Sequence, residues 1–167
     1  MDRERTQDLF LSFGSNIGDS SHLITRAIKE VASNPHIELV EQSSLWRSEP
    51  LYDTKQADFV NAVAKFRSDL LAYEILDYIS EIEIRFFRIR DPKRPKGPRT
   101  LDIDILFYGD RIMNEEKLII PHPRFHERKF ILLPMSEIDV NYTVPGTSLK
   151  IKDYIVQCPD KSKLERI

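Results

Sequence analysis

Two carboxylates stand two residues apart in the segment "GPRTLDIDILFYG", residues 97–109. In an extended strand, residues i and i+2 point to the same side. Asp102 and Asp104 therefore share one face, while Leu101, Ile103, Ile105 and Phe107 take the other and face the core. Neighbouring anions repel, and a divalent cation relieves that repulsion. An all-oxygen pair with no cysteine nearby suits a hard ion such as Mg²⁺, which keeps waters and accepts phosphate oxygens. The plain alternative is a solvated strand face, and a D-x-D pair alone does not exclude it. Just upstream, residues 85–99 hold Arg85, Arg88, Arg90, Lys93, Arg94, Lys96 and Arg99 against Asp91, a local charge of +6 in a chain of net charge −2. Planar guanidinium forks match phosphate oxygens. Acids for a cation beside arginines for phosphate are the two halves of a nucleoside-triphosphate site. The phosphate-loop, dinucleotide and protein-kinase fingerprints are all absent from the sequence.

These residues need a frame. Leu9 to Phe13 reads as a strand, and "GSNIGDS" follows as a loop in which Gly14 and Gly18 permit tight backbone. Leu23, Ala27, Ile28 and Val31 recur at helical spacing between Ser20 and Ser33, and "NPH" at 34–36 stops that helix. Ile37 to Arg47 reads as a strand, 48–58 as a loop and Phe59 to Phe66 as an alternating strand. Ser68 or Asp69 is placed to cap a second helix, with Leu71, Ile75, Tyr78, Ile79, Ile82 and Phe86 as its stripe. That helix is expected to end near Arg90, ahead of Pro92 and Pro95. The acidic strand follows at 100–107, then a hairpin arm near 111–113. A helix over 124–138 interrupted at Pro134 and a short helix within 147–157 complete the reading. The first six elements run strand–helix–strand–strand–helix–strand. That is the ferredoxin-like α+β order, an antiparallel sheet with helices on one face.

The 167 residues suit one domain, 1–167, with 1–8 expected to be flexible. With 25 basic and 27 acidic residues, the bulk charge gives no reason for a nucleic-acid partner. Cys158 is the only cysteine, so no internal disulfide forms and a reducing compartment fits. "MDRERTQD" lacks the apolar core of a signal peptide, and no later run is long enough to span a membrane. The expectation is a cytoplasmic monomer with small-molecule partners, no nucleic acid and no membrane.

Four pieces then line up in order: "FGSNIGD", "DFVNAV", "GPRTLDIDILFYG" and "IPHPRFHERKFILLP". Together, over roughly residues 9–140, they resemble the 6-hydroxymethyl-7,8-dihydropterin pyrophosphokinases of folate biosynthesis. The resemblance implies a ferredoxin-like core extended after residue 108 into an α/β/α sandwich. It implies diphosphate transfer from ATP to the pterin's hydroxymethyl group, with two Mg²⁺ ions on Asp102 and Asp104. Arg88, Arg90 and Arg99 match arginines that approach the ATP phosphates or close the loop over them, and Arg88 and Arg99 join the two aspartates as the expected catalytic set. Glu83, His122 and Arg128 match nucleotide and phosphate contacts. Phe59 and Phe130 match the pair that stacks on the pterin, and Asn61 the side chain that reads its edge. Backbone groups from Ser48 to Leu51 complete those edge contacts. The chain departs from the pattern at Lys96, where many relatives carry tryptophan, at Phe59, where tyrosine is common, and at Pro123. Two rivals stay open at this level: another D-x-D metal-dependent transferase, and a ferredoxin-like module that binds nucleotide without turnover.

Overall fold

The structure is a computed structural model and describes residues 5–167. Its centre is β1 (Gln7–Ser15), which pairs antiparallel with β4 (Phe59–Ser68) on one side and β5 (Asp102–Tyr108) on the other. β2 (Ile37–Gln42) and β3 (Trp46–Ser48) both pair with β4, along successive parts of its length. β8 (Leu164–Arg166) adds the outer edge against β3. The order β5-β1-β4-β3-β8, with α1 (Ser20–Ala32) and α2 (Ala72–Arg85) at the expected crossovers, is the ferredoxin-like arrangement. A separate hairpin joins β6 (Met113–Asn114) to β7 (Ile119–Ile120), and α3 (Lys129–Asp139) and α4 (Ile151–Gln157) follow.

Alternation along β1 makes two cores. Leu9, Leu11 and Phe13 meet Ile24, Ile28 and Val31 of α1 and Ile75, Ile79 and Ile82 of α2. Phe10 and Val63 face the opposite side and meet Ile131, Leu132 and Met135 of α3 and Ile151 of α4. The sheet is thus covered on both faces, as the expected α/β/α sandwich requires.

Several boundaries differ from the sequence reading. The expected strand Ile37–Arg47 is two strands, because Ser43 bonds Val63 through its backbone N–H and accepts from the Val63 N–H on its hydroxyl. α2 stops at Arg85 rather than Arg90: Phe87 takes a left-handed φ of 60° and turns the chain before either proline is reached. Its start is fixed by Glu74, whose carboxylate accepts from the Leu71 N–H at 2.7 Å, so neither Ser68 nor Asp69 caps it. Residues 125–127 form a separate 3₁₀ turn, and α3 then runs through Pro134 without interruption. A register shift between Phe10 and Leu11 also moves Phe107 off the face of Ile103 and Ile105, so that it joins Leu106 in the second core. Of the start expected to be flexible, residues 1–4 lie outside the described residues, and Gln7 and Asp8 already pair with Ser68 and Arg67. Among the described residues, no helix is long and apolar enough to cross a membrane.

Candidate active site

α3 and α4 leave one end of their sheet face uncovered, and a cavity of about 300 Å³ opens there. Ser12 and Gly14 of β1 stand opposite Asp104 and Asp102 of β5, and Gly14 also stands opposite Asn61 of β4. The register therefore sets both aspartates and Asn61 along one floor. Loop 48–58, the basic loop after α2, and the segment from His122 to Phe130 supply the walls. All thirteen residues singled out from the sequence line this one cavity: Ser48, Leu51, Phe59, Asn61, Glu83, Arg88, Arg90, Arg99, Asp102, Asp104, His122, Arg128 and Phe130.

The two aspartates are not equivalent. Asp102 accepts from Arg88 Nη1 at 2.7 Å on one oxygen and from Arg99 Nη1 at 2.9 Å on the other. Burial works against its charge, but Arg88 and Arg99 outweigh that penalty and hold its carboxyl below the usual range. Asp104 has no such guanidinium partner, and His122 lies beside it with Nε2 at 3.9 Å. Burial and the neighbouring Asp102 charge push Asp104 up to about 7, against the pull of Arg128, Arg88 and Arg99. His122 is held down to about 4 by burial and the Arg128 guanidinium, so it is neutral at pH 7. Its Nδ1 accepts from the Arg124 N–H at 3.1 Å, which turns Nε2 toward the aspartates.

Glu83 is buried at the end of α2 with a side chain 8% exposed, and it ion-pairs with Arg88. The Phe87 turn brings Arg88 back over it, and the Arg88 N–H donates to the Glu83 carbonyl. Arg90 lies at the rim, 76% exposed and 3.9 Å from Glu83. Arg99 spans the floor, with its guanidinium 5.2 Å from the centre of the Phe59 ring. Arg128 donates from Nε to the Tyr52 hydroxyl at 3.0 Å and lies 5.8 Å from the centre of the Phe130 ring. Asn61 is buried, and its amide donates to the Ser48 hydroxyl at 2.7 Å.

Among the described residues, no group of three or more His, Cys, Asp and Glu side chains is arranged to close around a metal ion. The Asp102–Asp104 pair nonetheless fits Mg²⁺, which needs only one or two carboxylates when waters and phosphates complete the shell. A carboxylate raised to about 7 by burial and by its neighbour's charge is what such a cation would relieve.

A family model described as "7,8-dihydro-6-hydroxymethylpterin-pyrophosphokinase (HPPK)" matches residues 10–140. The chain belongs to this family. Among pyrophosphokinase relatives, a 2-amino-4-hydroxy-6-hydroxymethyldihydropteridine pyrophosphokinase of Haemophilus influenzae is 35% identical over 156 residues, covering 93% of this chain and 96% of that protein. The bifunctional protein FolKE of Lactococcus lactis is 40% identical over 142 residues, and the match spans 83% of this chain but only 40% of FolKE. A crystal structure of Plasmodium falciparum HPPK-DHPS with pteroate superposes with a TM-score of 0.73 at 14% identity, over 94% of this chain and 43% of that one. That likeness supports the fold. ATP-dependent diphosphate transfer in folate biosynthesis is the activity of the pyrophosphokinase family.

Sequence reasoning missed part of the cavity lining. Tyr52 and Gln56 belong to it from loop 48–58, beside Lys96 of the basic loop, which the sequence marks only as part of the cationic run and as a departure from the family pattern. The Tyr52 ring is approached by Lys96, Arg124 and Arg128 at 5.1, 4.4 and 5.4 Å. An irregular loop carries no periodicity to mark such a residue. A tyrosine two positions after Pro50, in a loop that faces a basic segment, was the only available signal.

Proposed function

We propose that this chain transfers diphosphate from ATP to the hydroxymethyl group of 6-hydroxymethyl-7,8-dihydropterin, giving AMP and the pterin diphosphate. The observation that carries the reading is the meeting, in one cavity, of a carboxylate pair, phosphate-type arginines and an aromatic–amide set. Asp102 and Asp104 would hold two Mg²⁺ ions. When bound, Mg²⁺ supplies neutralisation of the triphosphate charge and a lower pKa for the attacking hydroxyl.

The chain's own groups do the rest. Arg88 and Arg99 flank Asp102 and take phosphate oxygens, with Arg128 on the opposite wall and Arg90 at the rim. Glu83 holds Arg88 in place from the nucleotide side, and neutral His122 offers Nε2 beside Asp104. Phe59 and Phe130 give the pterin two apolar faces, while Asn61, seated by Ser48, reads its edge with both a donor and an acceptor. The backbone from Ser48 to Leu51 closes that edge. The hydroxymethyl oxygen gives up its proton to water and bonds to the β-phosphorus as the bond from that phosphorus to the α-bridging oxygen breaks, and AMP leaves with that oxygen. No protein nucleophile is required. A monomer in the cytoplasm is part of this proposal, and the lone, buried Cys158 is compatible with that compartment.

The test is AMP release from ATP and Mg²⁺ with and without the pterin. Pterin-dependent AMP, matched by pterin diphosphate, supports the reading. ATP binding without turnover would favour the regulatory module, and turnover with a different acceptor would favour another transferase.

A further inference from the structure

The basic loop is tied across the cavity mouth to loop 48–58, and its anchor lies outside the proposed machinery. Arg94 meets Asp53 Oδ2 twice, from Nε at 2.9 Å and from Nη2 at 2.7 Å, and Nη2 also donates to the Lys55 carbonyl at 3.1 Å. Gln56 adds a second tie, with its amide donating to the Lys96 carbonyl at 2.8 Å and to the Asp53 carbonyl at 2.7 Å. The Gln56 oxygen accepts from Asn16 Nδ2 at 2.9 Å. Asn16, in the "GSNIGD" loop, clasps Arg99 by its backbone: the Asn16 N–H donates to the Arg99 carbonyl at 3.0 Å, and Asn16 Oδ1 accepts from the Arg99 N–H at 2.9 Å. Three loops are stitched together, and the stitching ends at a guanidinium that sits on Asp102.

We propose that Asp53 is a positioning residue: its carboxylate latches Arg94 and so holds the basic loop shut over the cavity. The geometry explains why Arg94, unlike Arg88 and Arg99, is absent from the cavity wall although it lies in the same cationic run. Its charge is spent on a partner loop instead of on phosphate. It also accounts for Asp53, an acid placed on the loop opposite a segment of local charge +6. The pair is partly exposed, so its contribution is that of a well-formed surface ion pair, enough to shift a loop equilibrium but not to hold the fold. The latch rests on the reading of the cavity as an ATP site, since a closed loop matters only if a ligand lies beneath it.

The experiment uses the full chain and its Asp53→Ala, Arg94→Ala and doubly substituted forms. ATP with MgCl₂ is titrated calorimetrically into each, and the wild type and Asp53→Ala are digested briefly with trypsin without ligand. Each single substitution should weaken ATP about threefold, within the range for an exposed pair. The double variant should be no weaker than the singles, because both remove the same contact. Trypsin should cut after Lys93 and Lys96 faster in Asp53→Ala, while its melting temperature stays that of the wild type. Independent effects that multiply, or equal cleavage rates, would overturn the latch. A wild type that fails to bind ATP would overturn the ATP-site reading instead, and the cleavage comparison would then decide the latch alone.

Discussion

Replacing each aspartate of the pair by asparagine should move stability in opposite directions. Asp102→Asn keeps the shape but removes the charge that two guanidiniums share, and its new amide N–H₂ must face one of them. Arg88 keeps Glu83, whereas Arg99 keeps a bond from Nε to the Gly97 carbonyl at 3.2 Å and the face of Phe59, with no carboxylate. Breaking a fully buried pair costs about 3–5 kcal/mol. The Asp102 side chain is 21% exposed to the cleft, and Glu83 still compensates Arg88. A loss of about 2–3 kcal/mol follows, the worth of one or two hydrogen bonds to charged groups. For a chain of this length that is a fall in melting temperature of roughly 5–10 °C. Asp104→Asn removes a carboxylate that Asp102 repels and no cation pairs. The sign follows from linkage: its folded pKa, about 7, lies above the ordinary 3.8, so the fold binds that proton more tightly than the unfolded chain does. Its stabilising effect is complete below the ordinary value and lost as pH rises through about 7. Asp104→Asn should therefore melt slightly higher than wild type at pH 8 in chelator. Differential scanning fluorimetry at pH 8 with EDTA, and again with MgCl₂, measures both. Mg²⁺ should raise the melting temperature of the wild type and of neither variant. Shifts of the same sign for the two variants in EDTA would refute the claim that one carboxylate is an anchor and the other a waiting ligand.

The arginines should divide by placement: Arg88→Ala and Arg99→Ala should each lower turnover at least about a hundredfold, the scale of losing preorganised charge, whereas exposed Arg90→Ala should cost less than about tenfold, read from steady-state AMP release. Asn61→Ala should weaken the pterin by about 1–3 kcal/mol, the cost of leaving its edge unpaired, with ATP affinity unchanged by calorimetry. His122 should show no ring titration by NMR between pH 5.5 and 8. Its folded pKa of about 4 lies below the ordinary 6.5, so the stability it contributes is present above 6.5 and is lost as pH falls toward 4. An imidazole that titrates near 6.5 would place His122 in open solvent.

What the sequence makes legible is what repeats. Alternation placed Asp102 and Asp104 on one face and Ile103 and Ile105 on the other, and helical spacing placed α1 and the apolar stripe of α2. Alternation could not foresee the register shift at Phe10–Leu11, because a bulge depends on how two strands meet rather than on either sequence alone. The end of α2 depended on Phe87 adopting a conformation rare for a bulky residue, which the buried Glu83–Arg88 pairing supports and propensity does not encode. β8 has only three residues and gains its identity from the β3 edge it covers. The candidate site residues on strands could be placed on a shared face from their spacing once the resemblance named them. Tyr52, Gln56 and Asn16 act from loops, where neither period exists, and their roles emerge only when three loops meet.

Gly14 shows how the two levels join. Its φ is not positive, so the reason for glycine is space and not backbone conformation; Gly18, at φ 74°, is the position that needs conformational freedom. Gly14 stands between Asp102 and Asn61 in one row across the sheet, and a Cβ there would come 3.5 Å from Asn61 Oδ1. That is ordinary contact, so the fold would accept a methyl group. The floor would not stay the same, because any side chain at 14 would rise between the carboxylate end of the row and the Asn61 amide. Adjacent strands lie about 4.8 Å apart, so Asp102 and Asn61 stand two strand spacings from one another with nothing between them but backbone. The proposed transfer, which joins the β-phosphorus of ATP to a hydroxymethyl oxygen carried by a flat ring, needs such a gap: close enough for both substrates to meet over it, and bare enough to let them.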